Sequence, residues 1–214
     1  MSAAALPVAV LVSGYGSNLQ ALIDAAAAGR LDMDLRLVAS DQPQAAALEK
    51  ARRAGAATAV LAPADYPDRE SWNAALGAAL AESGAQLVVL AGFMRVLGPA
   101  LVRAWQGRML NVHPSLLPRH RGLHTHRRAL AAGDRMHGAS IHFVTEELDG
   151  GPVVLQARVP ILPGDDEAVL ARRVQAREHE VYPRVVQWVA EGRLEWREGA
   201  PWLFGRRLVE PVVV

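Results

Sequence analysis

No cysteine occurs in the chain. That excludes disulfides and thiolate metal sites, and it fits a reducing compartment. Lysine is nearly absent as well: Lys50 is the only one, and arginine carries almost all of the positive charge. Excess charge of either sign is missing, with a formal net of +1. The chain therefore lacks the electrostatic footprint of a nucleic-acid binder. No apolar run approaches the roughly 20 residues of a membrane span. Met1 to Pro7 has neither the basic region nor the long apolar core of a secretory signal. No repeat or low-complexity linker interrupts the sequence. With 51% hydrophobic and 21% charged residues, a chain of this length buries one sizeable core. One domain over residues 1–214 is expected, cytoplasmic, acting on small molecules as a monomer or homodimer.

Short apolar runs alternate with helical stretches. Strands are expected at Val8–Val12, Leu35–Ala39, Thr58–Leu61, Leu87–Leu90 and Met109–Val112. Helices are expected at Leu19–Ala28, Gln44–Ala54, Pro67–Glu82, Thr125–Ala132 and Asp166–Ala190, the last kinked at Tyr182-Pro183. Ala139–Val144 and Val153–Val159 read as a hairpin joined by a short turn. Leu194–Trp196 and Pro201–Leu203 read as a smaller hairpin. This order predicts an α/β fold: a mostly parallel twisted sheet flanked by helices, with an antiparallel C-terminal portion. Ligands of such sheets bind at the carboxyl ends of strands. The loops after Val12, Leu90 and Val112 all fall there.

Each loop offers chemistry, and each has a plainer reading. Ser13-Gly14-Tyr15-Gly16-Ser17-Asn18 joins a strand to a helix and can cradle a phosphate on backbone N–H groups. It can equally be an unliganded helix start. It is not G-x-G-x-x-G, and no acidic residue is obviously placed for a dinucleotide ribose. Gly92-Phe93-Met94-Arg95-Val96-Leu97 can line a pocket for a flat ring or simply pack on a helix. Asn111 and His113, two apart on a strand, project on one face. Asp149 lies in a turn before Gly150-Gly151-Pro152. An amide donor, an imidazole and a carboxylate, if the fold unites them, suit acyl-group chemistry; separately, all three are ordinary structural residues. His113, His120, His124 and His126 could suggest a metal. Yet their segment holds no acidic residue, and Arg119, Arg121, Arg127 and Arg128 repel a cation. No metal is expected.

The strings N-V-H-P-S-L-L-P, G-L-H-T-H-R-R-A-L and S-I-H-F-V-T-E-E-L-D-G-G-P-V-V-L-Q together resemble the phosphoribosylglycinamide formyltransferase family. The P-S-L-L-P part is common to enzymes that use 10-formyltetrahydrofolate; the other two strings are particular to this transferase. The resemblance covers the chain from the Ser13 loop to the Trp202 region. It implies a Rossmann-like sheet and formyl transfer from 10-formyltetrahydrofolate to the amine of glycinamide ribonucleotide, in purine synthesis. Asn111, His113 and Asp149 become catalytic. Gly16, Ser17, Asn18, Leu19 and Gln20 hold the nucleotide's phosphate, and Gln175 and Glu178 its ribose. Arg69, Met94, Arg95, Val96, Leu97, Asn111 and Thr145, Glu146, Glu147, Leu148 and Asp149 face the folate. The folate is a cosubstrate, and no tightly bound cofactor is implied. Two positions depart from the family's pattern: Tyr15 stands between the two glycines, and Arg121 precedes Gly122. A 10-formyltetrahydrofolate hydrolase shares the Asn, His and Asp pattern but carries a further N-terminal domain. The initiator-tRNA formyltransferase carries a further C-terminal one.

Overall fold

The computed structural model describes residues 5–214. Five strands, β1 (Leu6–Val12), β2 (Met33–Ser40), β3 (Ala57–Val60), β4 (Leu87–Leu90) and β5 (Met109–His113), run parallel. β6 (Met136–Phe143) is antiparallel to β5, and β7 (Val153–Pro160) to β6. Six helices, α1 (Ser17–Ala27), α2 (Ala46–Arg53), α3 (Arg69–Glu82), α4 (Pro99–Ala104), α5 (Thr125–Ala131) and α6 (Glu167–Ala190), accompany them. β8 (Leu194–Arg197), β9 (Ala200–Leu203) and β10 (Arg206–Arg207) form a small antiparallel sheet. β11 (Val212–Val213) returns to the main sheet, whose order is β11-β7-β6-β5-β4-β1-β2-β3.

The central strands are apolar throughout because both of their faces are covered. In β1, Val8, Val10 and Val12 face a core shared with Leu19 and Leu22 of α1 and with Val174 and Tyr182 of α6. Ala9 and Leu11, with the alternate period, face Trp72, Leu76 and Leu80 of α3 and Leu101 of α4. Fully burying each such leucine stabilises the fold by about 2 kcal/mol. α3 is capped by Asp68, whose side chain accepts the Ser71 N–H at 2.7 Å, and α6 is capped by Asp166 on Val169 at 2.7 Å.

β1 lies between β2 and β4. The chain therefore leaves β1 toward one side of the sheet and later returns on the other. The strand order turns at β1, and the crevice in which α/β sheets bind ligands lies at the ends of these strands. Tyr182, fully buried on α6, ties the next pair of strand ends together. Its hydroxyl is 3.0 Å from the Leu90 carbonyl and 3.1 Å from the Leu110 carbonyl, which share its single proton.

Three features differ from the sequence reading. α1 begins at Ser17 rather than Leu19, so the glycine loop turns directly into the helix. α4 was not expected, although Gly98-Pro99 marks its start: Pro99 occupies the first turn, where no N–H is needed. The β6–β7 link is no short turn but a loop over 144–152.

Candidate active site

β5 presents Asn111 and His113 on one face, and register places His142 of β6 directly opposite Asn111. The 144–152 loop then folds back across this face. Its Asp149 Oδ2 stands 3.5 Å from His113 Nδ1, and Oδ1 stands 3.8 Å from His142 Nε2. Asp149 adopts φ 48°, a left-handed turn that Asp and Asn tolerate. Gly151 lets the loop close, since a Cβ there would meet the Phe143 carbonyl oxygen at 1.9 Å. Asp149 Oδ2 also accepts the Gly122 N–H at 2.8 Å, joining the 114–124 segment to the site. The three residues named from sequence are thus brought together; His113 is buried, and Asp149 is half-buried with its side chain 9% exposed.

The hydrogen bonds fix which nitrogens carry protons. His113 Nε2 lies 3.1 Å from the His120 carbonyl, which can only accept, so Nε2 carries a hydrogen. Its Nδ1 faces the Asp149 carboxylate. Both ring nitrogens therefore face acceptors. His142 is the opposite case. Its Nδ1 donates to the Phe143 carbonyl at 2.9 Å, leaving Nε2 bare to accept from Asn111 Nδ2 at 3.1 Å. Burial holds the His142 pKa down at about 4; the Phe143 carbonyl and Asp149 pull the other way without prevailing. A neutral His142 thus orients the Asn111 amide and leaves its second N–H free.

Sequence reasoning gave His142 no role, because only the β5–β6 register reveals its partner. His142→Phe keeps a ring but removes the acceptor, and it is expected to lower kcat about tenfold with KM nearly unchanged. His142→Gln, which can still accept, should recover part of the loss. An unaltered kcat in His142→Phe would show that the Asn111 amide needs no such support.

On the β1 side, Gly16 has φ 72°, and a Cβ there would lie 2.5 Å from Ala47 Cβ. Only glycine serves both the left-handed turn and the close approach of α2. Ser17 Oγ accepts from Gln175 Nε2 at 3.0 Å, and Asn18 Nδ2 donates to Glu178 Oε2 at 2.8 Å. The two α6 residues named from sequence therefore meet the glycine loop. They are not one solvated face: Gln175 is exposed and Glu178 is buried. Burial raises the Glu178 pKa, and the Asn18 bond offsets part of that. The Leu19 side chain belongs wholly to the core, so only its backbone can serve a ligand. Gln20 donates to Asp24 at 2.8 Å.

On the β4 side, Met94 and Val96 are exposed, as is Leu148 of the facing loop. Such apolar side chains beside a crevice suit a flat ring. Leu97 is instead buried in the core, and its carbonyl and that of Val96 accept from Arg69 Nη2 at 3.4 and 2.8 Å. Arg95 Nε donates to Asp41 Oδ2 at 3.0 Å. Asp41 stands directly after β2, where a dinucleotide-binding sheet keeps its ribose acid; the sequence reading overlooked it, and here Arg95 and Gln42 occupy it. Burial raises the Asp41 pKa, but Ser13, Arg95 and Gln42 together bring it below the usual carboxylate value. Ser13 binds the two loops to each other: its N–H donates to Gly92 O at 3.1 Å, and its Oγ accepts from Met94 N–H at 2.8 Å. Thr145 is half-buried, while Glu146 and Glu147 are exposed and pair with Arg103 and Arg121.

The other histidines form a structural group behind His113. His120 Nε2 lies 2.7 Å from Asp134, and His126 Nδ1 lies 3.1 Å from His137 Nε2. Burial, with His126 and His120 nearby, keeps the His137 pKa near 4. His124 stands at the N-cap of α5 with φ 58°, and its side chain accepts no cap bond. A groove of about 880 Å³ between α3 and α4 contains only Arg69 of the candidate residues.

A family model described as formyl transferase matches residues 6–186. The phosphoribosylglycinamide formyltransferase of Escherichia coli (strain K12) is 51% identical over 201 residues, 94% of this chain and 95% of that one. The human trifunctional purine biosynthetic protein adenosine-3 is 42% identical over 191 residues, 89% of this chain and 19% of that one. Among solved structures, the phosphoribosylglycinamide formyltransferase of Coxiella burnetii superposes with a TM-score of 0.93 at 44% identity, covering 97% of this chain and 98% of that one. Its sheet, its crevice and these likenesses agree: the chain belongs to the formyl transferase family, among the phosphoribosylglycinamide formyltransferases.

Proposed function

We infer that the chain transfers the formyl group of 10-formyltetrahydrofolate to the amine of glycinamide ribonucleotide in purine biosynthesis. One observation carries the site assignment: Asn111, His113, His142 and Asp149 converge on one sheet face beside the crevice. The substrate amine attacks the formyl carbon, so the carbonyl oxygen becomes an oxyanion and the amine an ammonium. The free N–H of Asn111 faces the oxyanion, and the His113 imidazolium adds positive charge. The carbon–nitrogen bond to the folate then breaks. His113 gives its proton to the departing nitrogen and regains one released by the ammonium. Asp149 stabilises the imidazolium before the proton leaves and after it returns. No serine or cysteine nucleophile is needed, so the transfer is direct.

The nucleotide lies along Gly16–Gln20, with Gln175 and Glu178 at its ribose. The folate lies along Met94–Leu97 and Thr145–Asp149, with Arg69 behind. It is consumed as a cosubstrate, with no tightly bound cofactor. The assignment is to one catalytic domain over residues 1–214, working in the cytoplasm as a monomer or homodimer. Among the described residues no helix is long and apolar enough to cross a membrane.

The test is one assay with two readouts, formylated nucleotide and free formate. Formylated nucleotide should appear in step with folate consumption, and omitting the nucleotide should halt the reaction. Formate release at the same rate without nucleotide would make the protein a hydrolase instead.

A further inference from the structure

α2 is clamped onto the glycine loop. Ala47 N–H donates to Gly14 O at 3.2 Å, and the Ala47 side chain fills the space that a Cβ on Gly16 would need. Lys50, three residues on and so on the same helical face, consequently stands over the loop. Its Nζ donates to Gly16 O at 3.5 Å and lies 3.6 Å from the centre of the Tyr15 ring. The neighbouring cations of α2 behave differently: Arg52 and Arg53 both turn to Glu49, at 3.7 and 2.9 Å. Among the described residues Lys50 pairs with no carboxylate. A cavity of about 370 Å³ opens beside it, lined also by Tyr15, Ser17, Arg30 and His179. Asp24 also lines it but receives the Gln20 amide. Next to the loop, Asn18 is 8% exposed, and its Oδ1 is buried without a partner. A ligand seated in the cavity would meet an ammonium that has no carboxylate partner, which suits a phosphate.

We propose that Lys50, held in place by the face of Tyr15, supplies the counter-charge for the phosphate of the nucleotide substrate. This rests on the reading of Gly16–Gln20 as the phosphate loop. Backbone N–H groups give the phosphate direction, but they do not neutralise it; the ammonium does. Tyr15, which departs from the family's pattern, gains a purpose as the platform that keeps a flexible lysine stem above the loop.

The test uses the full chain, with the nucleotide as varied substrate and inorganic phosphate as competing probe. Lys50→Met is expected to raise the nucleotide KM and the inhibition constant of phosphate together, by roughly tenfold. The KM for folate should not move, and the dependence of nucleotide KM on salt should flatten. Tyr15→Ala should give a smaller rise and add nothing to Lys50→Met, whereas Tyr15→Phe, which keeps the ring face, should hold KM within about twofold. An unchanged nucleotide KM and phosphate inhibition in Lys50→Met would overturn the proposal. So would a matching rise in folate KM. If phosphate fails to compete even in the wild type, it is the phosphate-loop reading itself that falls.

Discussion

Asn111→Asp is expected to lower turnover by roughly a hundredfold to a thousandfold. Two effects act in the same direction. The amide N–H that faces the oxyanion disappears, and a carboxylate takes its place beside the developing negative charge. His142 adds a third. Its bare Nε2 now accepts from Asn111 at 3.1 Å, and an aspartate would set a lone pair against a lone pair there. Asn111 is half-buried, so little water is available to soften either clash. The measurement is kcat with both substrates saturating, after circular dichroism has shown the variant folded. Near-normal turnover would remove Asn111 from the mechanism.

Asp149→Asn is expected to lower turnover steeply. The carboxylate 3.5 Å from His113 Nδ1 is placed to balance positive charge on the ring that hands over the proton, and asparagine removes that charge. Asparagine keeps the left-handed turn, and its carbonyl can still accept from Gly122, so the loop should survive. That separates charge from shape. The measurement is kcat with both substrates saturating, and a folded Asp149→Asn enzyme with wild-type rate would make Asp149 a turn residue only.

What the sequence disclosed follows the range of the interactions involved. Asn111 and His113 were legible because strand periodicity puts residues two apart on one face, whatever the rest of the fold does. The parallel core was legible because strands buried on both faces are apolar without interruption. Asp149 needed the family resemblance to link it with His113, since its approach depends on how the 144–152 loop folds over the sheet. His142 was hidden for the same reason: pairing with Asn111 is a matter of register, and a shift of one residue would turn its ring to the other face. Leu19 and Leu97 show the reverse limit. The motif marks their positions, but only packing shows that their side chains serve the core. α4 escaped notice because it has just six residues, too few for a helical period to emerge.

The return of β11 to the main sheet closes one of its edges to strand pairing. β7 is eight residues long and mostly buried, and an open edge on such a strand would offer a template for a second molecule's backbone. β11 covers that edge at Leu155 and Gln156, and two more bonds extend the cover: Val214 N–H to Gln156 O at 2.9 Å, and Arg158 N–H to Val214 O at 2.8 Å. Beyond it Pro160 has no N–H to offer. The opposite edge, β3, is only four residues long, with an exposed residue at each end. A sheet of eight strands is thereby left with little free edge, and a strand of only two residues provides most of the protection on one side.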